Sequence, residues 1–423
     1  MRSNGEIVNA TMNDSATDTL PGATASAVQD RSPSTPHFET GHVLTISTAH
    51  AIHDTYQSFL SPLLPAFIEN FSLSKTQAGS LSIFIELPSL LQPLIGHVAD
   101  RFNLRYLVIL GPAVTAVMMS LLGIAPNYAT LAVLLAVAGF SRAAFHAVAP
   151  VAVSNLSGRR LGRGMGFWMV GGQLGPALGP IVVVVAVKLL GLTRLPWVMI
   201  LGLLGSVVLY VRLRDVPLQP ARSSGSLPLW QALRGMRRVM LPVAAIVLVR
   251  AVLTTALSVY LPTFLTERGA DLWLAGVSLS VLEGAGTVGC LLAGSVSDRL
   301  GRQPTLMASF LTAPLFVWAF LRTSGWSQIV SLFLLGFTSL STMPVFMAML
   351  LESFPENRAL ANGIYLALTF VGRSLMAVIV GVIGDRFGLE QAFIAGALIL
   401  LLAVPLVRLL PGKSDRSKSE SKP

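Results

Sequence analysis

The chain has 423 residues, of which 53% are hydrophobic and 12% charged, with a formal net charge of +10 and a mean hydropathy of +0.69. Soluble domains carry roughly 45–50% apolar and about 25% charged residues, so this composition excludes an ordinary water-soluble globule and puts most of the chain in lipid. The basic surplus is accounted for by loop and tail residues, so the charge gives no reason to expect nucleic-acid binding.

In chain order, residues 1–41 are rich in Ser, Thr, Ala, Asn and Asp and lack the apolar core of a signal peptide, which predicts a disordered cytoplasmic tail. A membrane helix needs about 20 mainly apolar residues, because only a helix satisfies its own backbone hydrogen bonds in hydrocarbon. Twelve segments qualify, numbered helix 1 to helix 12: 43–67, 76–98, 106–124, 128–154, 164–190, 195–213, 240–265, 273–297, 304–322, 326–350, 359–384 and 390–410. They predict an amino-terminal six-helix bundle over 42–213, a cytoplasmic linker at 214–239 with Pro217, Pro220 and Pro228, a second six-helix bundle over 240–410, and a basic cytoplasmic tail at 411–423. With the amino terminus inside, the inner loops hold fourteen arginines and the outer connections six basic residues. That bias places both termini in the cytoplasm of a cell-membrane protein. The lone cysteine, Cys290, lies within helix 8, which leaves no disulfide framework and no thiolate metal site.

Helix 2 ends in GHVADRFNLR (96–105) and helix 8 in GSVSDRLGRQ (294–303), each preceded by one mid-helix acid, Glu86 and Glu283. Spacing, charge and sequence repeat together, so the chain is an internal duplication. A carboxylate at a helix end beside arginines can form charge-assisted bonds in one conformation and break them in another. The residues of the phrase, to which the family resemblance given below assigns a gate, are Gly96, Asp100 and Arg101 in the first copy and Gly294, Asp298, Arg299, Gly301 and Arg302 in the second. The first copy is imperfect, with Asn103 and Leu104 where the second has Gly301 and Arg302. A third look-alike, GVIGDRFG at 381–388, falls on the outer face and is taken as an echo of the repeat with no gating role.

In helix 5, GGQLGPALGP (171–180) sets Gly171, Gly175 and Gly179 four apart on one face, beside Pro176 and Pro180. Such a face lets a neighbouring helix approach closely, and each proline removes a backbone bond.

Charged groups in mid-membrane are costly, by about 2.5–3.5 kcal/mol each on insertion scales, so they mark paired sites or transport paths. Here they are Asp54, Glu86, Arg142, Arg250, Glu283 and Arg373, with His50, His53 and His146 nearby. They occupy helices 1, 2, 4, 7, 8 and 11, while helices 3, 6, 9 and 12 have none in mid-span. His50 and Asp54 are four apart and face the same side of helix 1. A carboxylate buried beside apolar walls holds its proton more tightly, and a nearby cation loosens it, so a moving partner can turn Asp54 from proton acceptor to donor. Asp54 with His50, then Glu86 with Arg142 and His146, are the expected proton-coupling residues. Glu283 with Arg250 and Arg373 is expected to form the counterpart of that proton site in the second half or the substrate cavity. His53 and His97 are expected to be packing residues.

Twelve helices in two halves with these loop phrases resemble the major facilitator superfamily of secondary transporters. The resemblance implies an all-α integral membrane fold of two pseudo-symmetric six-helix bundles, with helices 3, 6, 9 and 12 peripheral and the gate aspartates acting as described. The helix-5 phrase is similar to the superfamily's antiporter motif. More narrowly, HAIHDTYQSFLSPLLPAF (50–67), PSLLQPLIGHVADR (88–101) and Phe145–His146 resemble the fosmidomycin-resistance family of drug exporters. Its His-x-x-x-Asp pair maps onto His50 and Asp54, whereas Ala147 and Val148 replace the Pro and Glu that follow its Phe-His in helix 4. The resemblance implies a proton-coupled antiporter exporting a small amphipathic compound or drug by alternating access. A proton-coupled importer of a small metabolite and a lipid flippase are the alternatives on the same fold. No Walker loop, His/Cys metal cluster or nucleophile motif is present in the sequence, so an enzyme, a catalytic residue, a cofactor and a metal are not expected. The expected partners are a small-molecule substrate, protons and the bilayer, with the protein acting as a monomer.

Overall fold

The computed structural model describes residues 38–99, 105–216, 229–354 and 358–411, and among these every regular element is a helix. Asp100 and Arg101 of the first gate phrase, and residues 217–228 of the expected linker, lie outside the described residues. Helix 1 runs as Thr40–Gln57 and Leu60–Phe71. Helix 2 runs from Lys75 to Ala99, helix 3 from Arg105 to Leu121, helix 4 from Tyr128 to Leu156 and helix 5 from Leu161 to Leu190. Helix 6 ends with Met199–Leu213. Helix 7 is Leu229–Glu267, so residues 229–239, assigned by sequence to the linker, form its first turns. Helices 8 and 9 are Leu272–Leu300 and Arg302–Arg322, and helix 10 runs as Gly325–Ser339 and Thr342–Ser353. Helix 11 is Arg358–Phe387, and helix 12 runs as Leu389–Leu400 and Ala403–Val407.

Eleven of the described helices are long and apolar enough to cross a membrane. Helix 1 is the twelfth. It falls short because His50, His53 and Asp54 lower its hydropathy and because it breaks at Ser58 and Phe59. The break has a local cause: Pro62 cannot donate to the Ser58 carbonyl, and its ring crowds that carbonyl. Helix 2 is interrupted in the same way, with Leu87–Leu91 forming a tight 3₁₀ turn around Pro88 immediately after Glu86. In helix 10, Pro344 frees the Leu340 carbonyl, which accepts from the Cys290 thiol at 3.4 Å.

Helix pairings repeat with a shift of six. Helices 1 and 5, 2 and 4, 3 and 6 pack together in the first half, matched by 7 and 11, 8 and 10, 9 and 12 in the second. Between the halves, helix 2 packs on 11 and helix 8 on 5, a pair of contacts exchanged by the same shift, while helix 1 meets helix 7. This is the fold of two pseudo-symmetric six-helix bundles. Leu201, Leu204, Val207, Val208 and Val211 of helix 6 and Leu311, Leu315 and Trp318 of helix 9 are exposed, an apolar outer face of the kind lipid covers.

At the end opposite Thr40 and Val407 the halves are tied directly. The Asp385 carboxylate, at the end of helix 11, accepts from the Lys75 N–H at 2.7 Å, the Thr76 N–H at 3.0 Å and the Thr76 hydroxyl at 2.6 Å. It thereby sits on the free donors and positive dipole end of helix 2. Lys75 Nζ reaches Glu267 of helix 7 at 2.8 Å. The Tyr260 hydroxyl lies 2.6 Å from the Ala377 carbonyl and 3.0 Å from that of Lys75. Helices 2 and 11 can cross here because a Cβ on Gly79 would meet Tyr260 and the Ala377 carbonyl, and one on Gly381 would meet Lys75 and Thr76 backbone. The 381–388 phrase, taken from sequence as an inert echo, thus supplies the residue that joins the halves at this end.

Removing these bonds should loosen that end without unfolding the chain. Three bonds to an exposed carboxylate contribute about 1 kcal/mol net, or about a fivefold shift between closed and open forms. Spin labels at Asn70 and Phe387, both exposed at this end, should therefore show about a fivefold larger long-distance population in Asp385→Ala. An unchanged distance distribution would show that Asp385 does not hold the halves together.

Candidate functional site

Half-way along helix 1, the Asp54 carboxylate is surrounded by three imidazoles. His50 Nε2 lies 3.1 Å from Oδ2. His53 Nδ1 lies 2.9 Å and His146 Nε2 3.2 Å from Oδ1. His50 and Asp54 share a helix face by their spacing, His146 comes across from helix 4, and His53 arrives by the turn of the helix beside Asp54. Aromatic rings hold the imidazoles in place: Trp168 of helix 5 stacks on His50 at 3.6 Å, and Phe145 of helix 4 stacks on His53 at 4.5 Å. The Trp168 carbonyl lies 2.9 Å from His50 Nδ1. Because a carbonyl can only accept, this nitrogen carries its hydrogen.

Helix 5 comes close enough to supply these groups because its inner face has no side chains. A Cβ on Gly171 would come within 2.3 Å of the Ser47 carbonyl, one on Gly175 within 2.4 Å of Asp54 Cβ, and one on Gly179 within 2.4 Å of the Thr55 carbonyl. A Cβ on Gly172 would strike the His50 ring at 2.4 Å. The glycine phrase, with Pro176 inside a continuous helix, is therefore the bed on which the Asp54 segment of helix 1 lies.

A second charge group lies deeper between the halves. Arg142 of helix 4 pairs with Glu86 at 2.9 Å, and Arg373 of helix 11 reaches the other Glu86 oxygen at 3.5 Å. Arg142 also lies over the Phe370 ring of helix 11, 5.1 Å from its centroid. Arg142 is close enough to interact electrostatically with both Glu86 and Asp54, so it links the two groups. Glu86 is buried and stands at the last residue before the Pro88 turn.

The expected grouping of Glu283 with Arg250 and Arg373 is changed in the structure. Among the described residues Glu283 has no ion pair within 4.0 Å and instead accepts from the Ser258 hydroxyl at 2.7 Å, while Arg373 turns to Glu86 in the other half. Arg250 is buried in helix 7, and its Nε has no hydrogen-bond partner among the described residues. The physical reason is reach: helix 11 packs against helix 2, which brings the long Arg373 side chain to the first-half carboxylate.

In the second gate phrase, Gly301 adopts φ +102°, a left-handed conformation suited to glycine. It turns the chain so that Arg302 meets Asp298 at 2.6 Å and Glu352 of helix 10 at 2.8 Å. Arg302 also bonds the Ser297 hydroxyl and lies 3.4 Å from the Gly294 carbonyl. Arg299, on the same turn, is likewise engaged. Gly96 falls in the last turn of helix 2.

Sequence reasoning set His53 aside as a packing residue, and the structure places it in the site. Trp168 was also missed, as were Thr115, whose hydroxyl lies 3.0 Å from His53 Nε2, and Ser141, which accepts from Thr115 at 3.0 Å. For Thr115 and Ser141 the available signal was a polar residue in mid-span of an otherwise apolar segment. The donor atoms of His50, Asp54 and His146 lie within 4.8 Å of one another. Such a grouping can take a small cation, and the proton is the one its hydrogen bonding already uses.

The model of the Major Facilitator Superfamily matches residues 46–328 and 291–423 of the chain. The Fosmidomycin resistance protein of Escherichia coli (strain K12) is 24% identical over 367 residues, covering 85% of this chain and 90% of its own. The Uncharacterized MFS-type transporter YfnC of Bacillus subtilis (strain 168) is 24% identical over 394 residues, covering 89% and 94%. Among solved structures, a bacterial homolog of the human lysosomal transporter Spinster, inward-facing and unoccupied, superposes with TM-score 0.74 at 15% identity over 89% of this chain and 98% of its own. A D-xylose-proton symporter gives 0.71 at 16% identity over 88% and 98%. The two structural likenesses are likenesses of fold, and the family agrees with the one the sequence motifs resemble.

The glycine bed makes a direct prediction. Gly175→Ala forces a methyl group into helix-1 backbone and should cost about 1–3 kcal/mol, as overpacking does. Gly166→Ala, on the same helix but with open space around it, should leave thermal stability in detergent within about 0.5 kcal/mol of the parent. Equal melting temperatures for the two variants would remove the close-approach role.

Proposed function

The chain belongs to the Major Facilitator Superfamily, and on that premise we propose that it is a proton-coupled antiporter. It moves a small amphipathic compound or drug out of the cell, with both termini in the cytoplasm of the cell membrane and the single chain as the working unit. The observation that carries this reading is the link between the Asp54–histidine cluster and the ion pairs that join the halves at Glu86. An isolated buried carboxylate would be a liability. Ringed by imidazoles, it has neighbours that can accept or donate a proton at hydrogen-bond distance.

Coupling follows from Arg142. When Asp54 holds a proton, the positive charge of Arg142 is fully available to Glu86. When Asp54 is ionised, it competes for that guanidinium and weakens the Glu86 side. Glu86 is also the carboxylate that Arg373 reaches from helix 11. Proton loss at Asp54 therefore biases the contact between the halves, which is what alternating access requires. The glycine bed keeps helix 5 and helix 1 moving as one body, so the charge change is transmitted as rigid motion. The Gly294, Asp298, Arg299 and Arg302 turn, held to Glu352, keeps helices 8, 9 and 10 together at the cytoplasmic end. Asp100 and Arg101 are assigned the matching role in the first half. Export is favoured over import by the glycine phrase in helix 5 and by similarity to a relative named for drug resistance.

Two measurements test the reading. Asp54→Asn keeps the size of the side chain and removes its titration. In proteoliposomes with an imposed proton gradient this variant should lose uphill export by about 100-fold, the lower end of what a positioned proton-transfer group contributes. Its residual exchange should lose pH dependence. Undiminished uphill export would make Asp54 structural and move the proton site to Glu86 or Glu283. Arg302→Lys at the gate turn keeps one charge but not the fork that spans Asp298 and Glu352. It should insert normally and slow transport several-fold. Transport at the parental rate would leave that network a static clamp.

A further inference from the structure

His53 is buried, beside the proton site, and unused by the sequence reading. Its surroundings fix where its hydrogen lies. The Gly111 carbonyl can only accept, so the Ser141 hydroxyl, 3.1 Å away, donates to it. Ser141 has then used its one proton and accepts from the Thr115 hydroxyl at 3.0 Å. Thr115 has in turn used its own, so the 3.0 Å contact with His53 Nε2 requires a hydrogen on that nitrogen. A neutral imidazole with hydrogen on Nε2 presents a lone pair at Nδ1, and Nδ1 faces Asp54 Oδ1 at 2.9 Å. Two lone pairs do not sit stably at that distance, so the gap needs one further proton.

We propose that the coupling proton resides in this gap, shared between Asp54 Oδ1 and His53 Nδ1, and that Thr115 and Ser141 are positioning residues that hold His53 in the tautomer able to receive it. The proposal rests on the reading of Asp54 as the proton site and names its second seat. No other reactant is involved: the proton sits on oxygen as a carboxylic acid donating to imidazole, or on nitrogen as imidazolium donating to carboxylate. When it leaves, the gap becomes repulsive, and Asp54 turns to its other neighbours. These are His146 and Arg142 on helix 4, and beyond Arg142 the Glu86 of helix 2 with Arg373 of helix 11; His50, whose Nδ1 hydrogen is held by the Trp168 carbonyl, can donate to Asp54 Oδ2 only as an imidazolium. His146 can donate to Asp54 as a neutral ring, because its tautomer is not dictated by a second bond of the kind that fixes His50 and His53. The relay thus makes proton loss change the contacts of Asp54, where a freely flipping His53 would adapt and keep the contact.

The test uses the full chain in lipid nanodiscs and the proton as the probe. Magnetic resonance of isotope-labelled histidine, with the His53 signal identified by its loss in His53→Gln, should show hydrogen on Nε2. The infrared band of the protonated carboxyl that disappears in Asp54→Asn gives the titration midpoint. Thr115→Val keeps the shape of a fully buried side chain but frees the ring to place its hydrogen on Nδ1 and donate to ionised Asp54. The midpoint should fall by about one pH unit, a tenfold loss of proton affinity. Ser141→Ala should move it in the same direction, and Thr115→Ser should restore the parental value. A parental His53 with its neutral hydrogen on Nδ1, or a midpoint unmoved in both Thr115→Val and Ser141→Ala, overturns the proposal. Failure of the antiport reading shows separately, as undiminished uphill export by Asp54→Asn while the His53 tautomer is as assigned.

Discussion

The cost of keeping a carboxylate in hydrocarbon organises the amino-terminal half. An ionised group without partners is costly at such depth, so Asp54 has to be reached by polar partners on several helices at once. His50 and His53 come from its own helix, and His146 requires helix 4 to pass alongside. Trp168 requires helix 5 to lie close enough to orient His50. A helix pair with ordinary side chains is separated by 8–10 Å, whereas the three glycines of helix 5 let it sit against the helix-1 backbone at the residues around Asp54. The motif that looks like a packing feature and the charge that looks like a chemical one are therefore one requirement.

The duplication makes the asymmetry of the halves informative. Glu86 and Glu283 hold equivalent places in helices 2 and 8. Glu86 is met by two guanidinium groups, one from each half, whereas Glu283 is met by a serine hydroxyl. The difference traces to helix 4, which carries Arg142, while helix 10 carries no Lys or Arg between Gly325 and Ser353. One half carries a run of neighbouring imidazole, carboxylate and guanidinium groups from helix 1 to the interface. The other keeps isolated polar groups, including a buried Arg250 Nε without a partner among the described residues, in a setting where a substrate's own polar atoms would be the natural complement.

The twelve spans and the duplication were legible because both are written in local composition: runs of about 20 apolar residues and a loop phrase with an acid at fixed distance before it. Asp54, His50, Glu86 and Arg142 were legible for the opposite reason, as polar residues where hydropathy forbids them. What could not be read was which distant groups meet. Arg373 was assigned to Glu283, and its Glu86 contact depends on helix 11 crossing onto helix 2. His53 was read as packing because nothing near it in sequence indicates Thr115, and a polar residue in mid-span, though visible as such, does not say which distant group it meets. Asp385 was discounted because its phrase sits on the opposite face from the other two. Its partners are the first N–H groups of helix 2, backbone donors that carry no sequence signature at all.

These contacts explain why the deepest charge sits where the helix is weakest. Along helix 2, the segment Lys75–Glu86 packs on helix 11 and is tied to it at Asp385, whereas Gln92–Ala99 packs on helix 4 within its own half. The Pro88 turn divides the two segments, and mid-helix turns of this kind are frequent hinges. Glu86 is the last residue before that turn. A charge placed in the middle of either rigid segment could change its partners only by moving the whole helix. Placed at the joint, it can exchange Arg373 for Arg142 through a change in the angle between the segments, while Asp385 and the glycine crossing hold one end fixed. On the proposed mechanism, proton occupancy at Asp54 would act on Arg142 and through it on Glu86, which lies at the joint where a small electrostatic change has the greatest mechanical leverage.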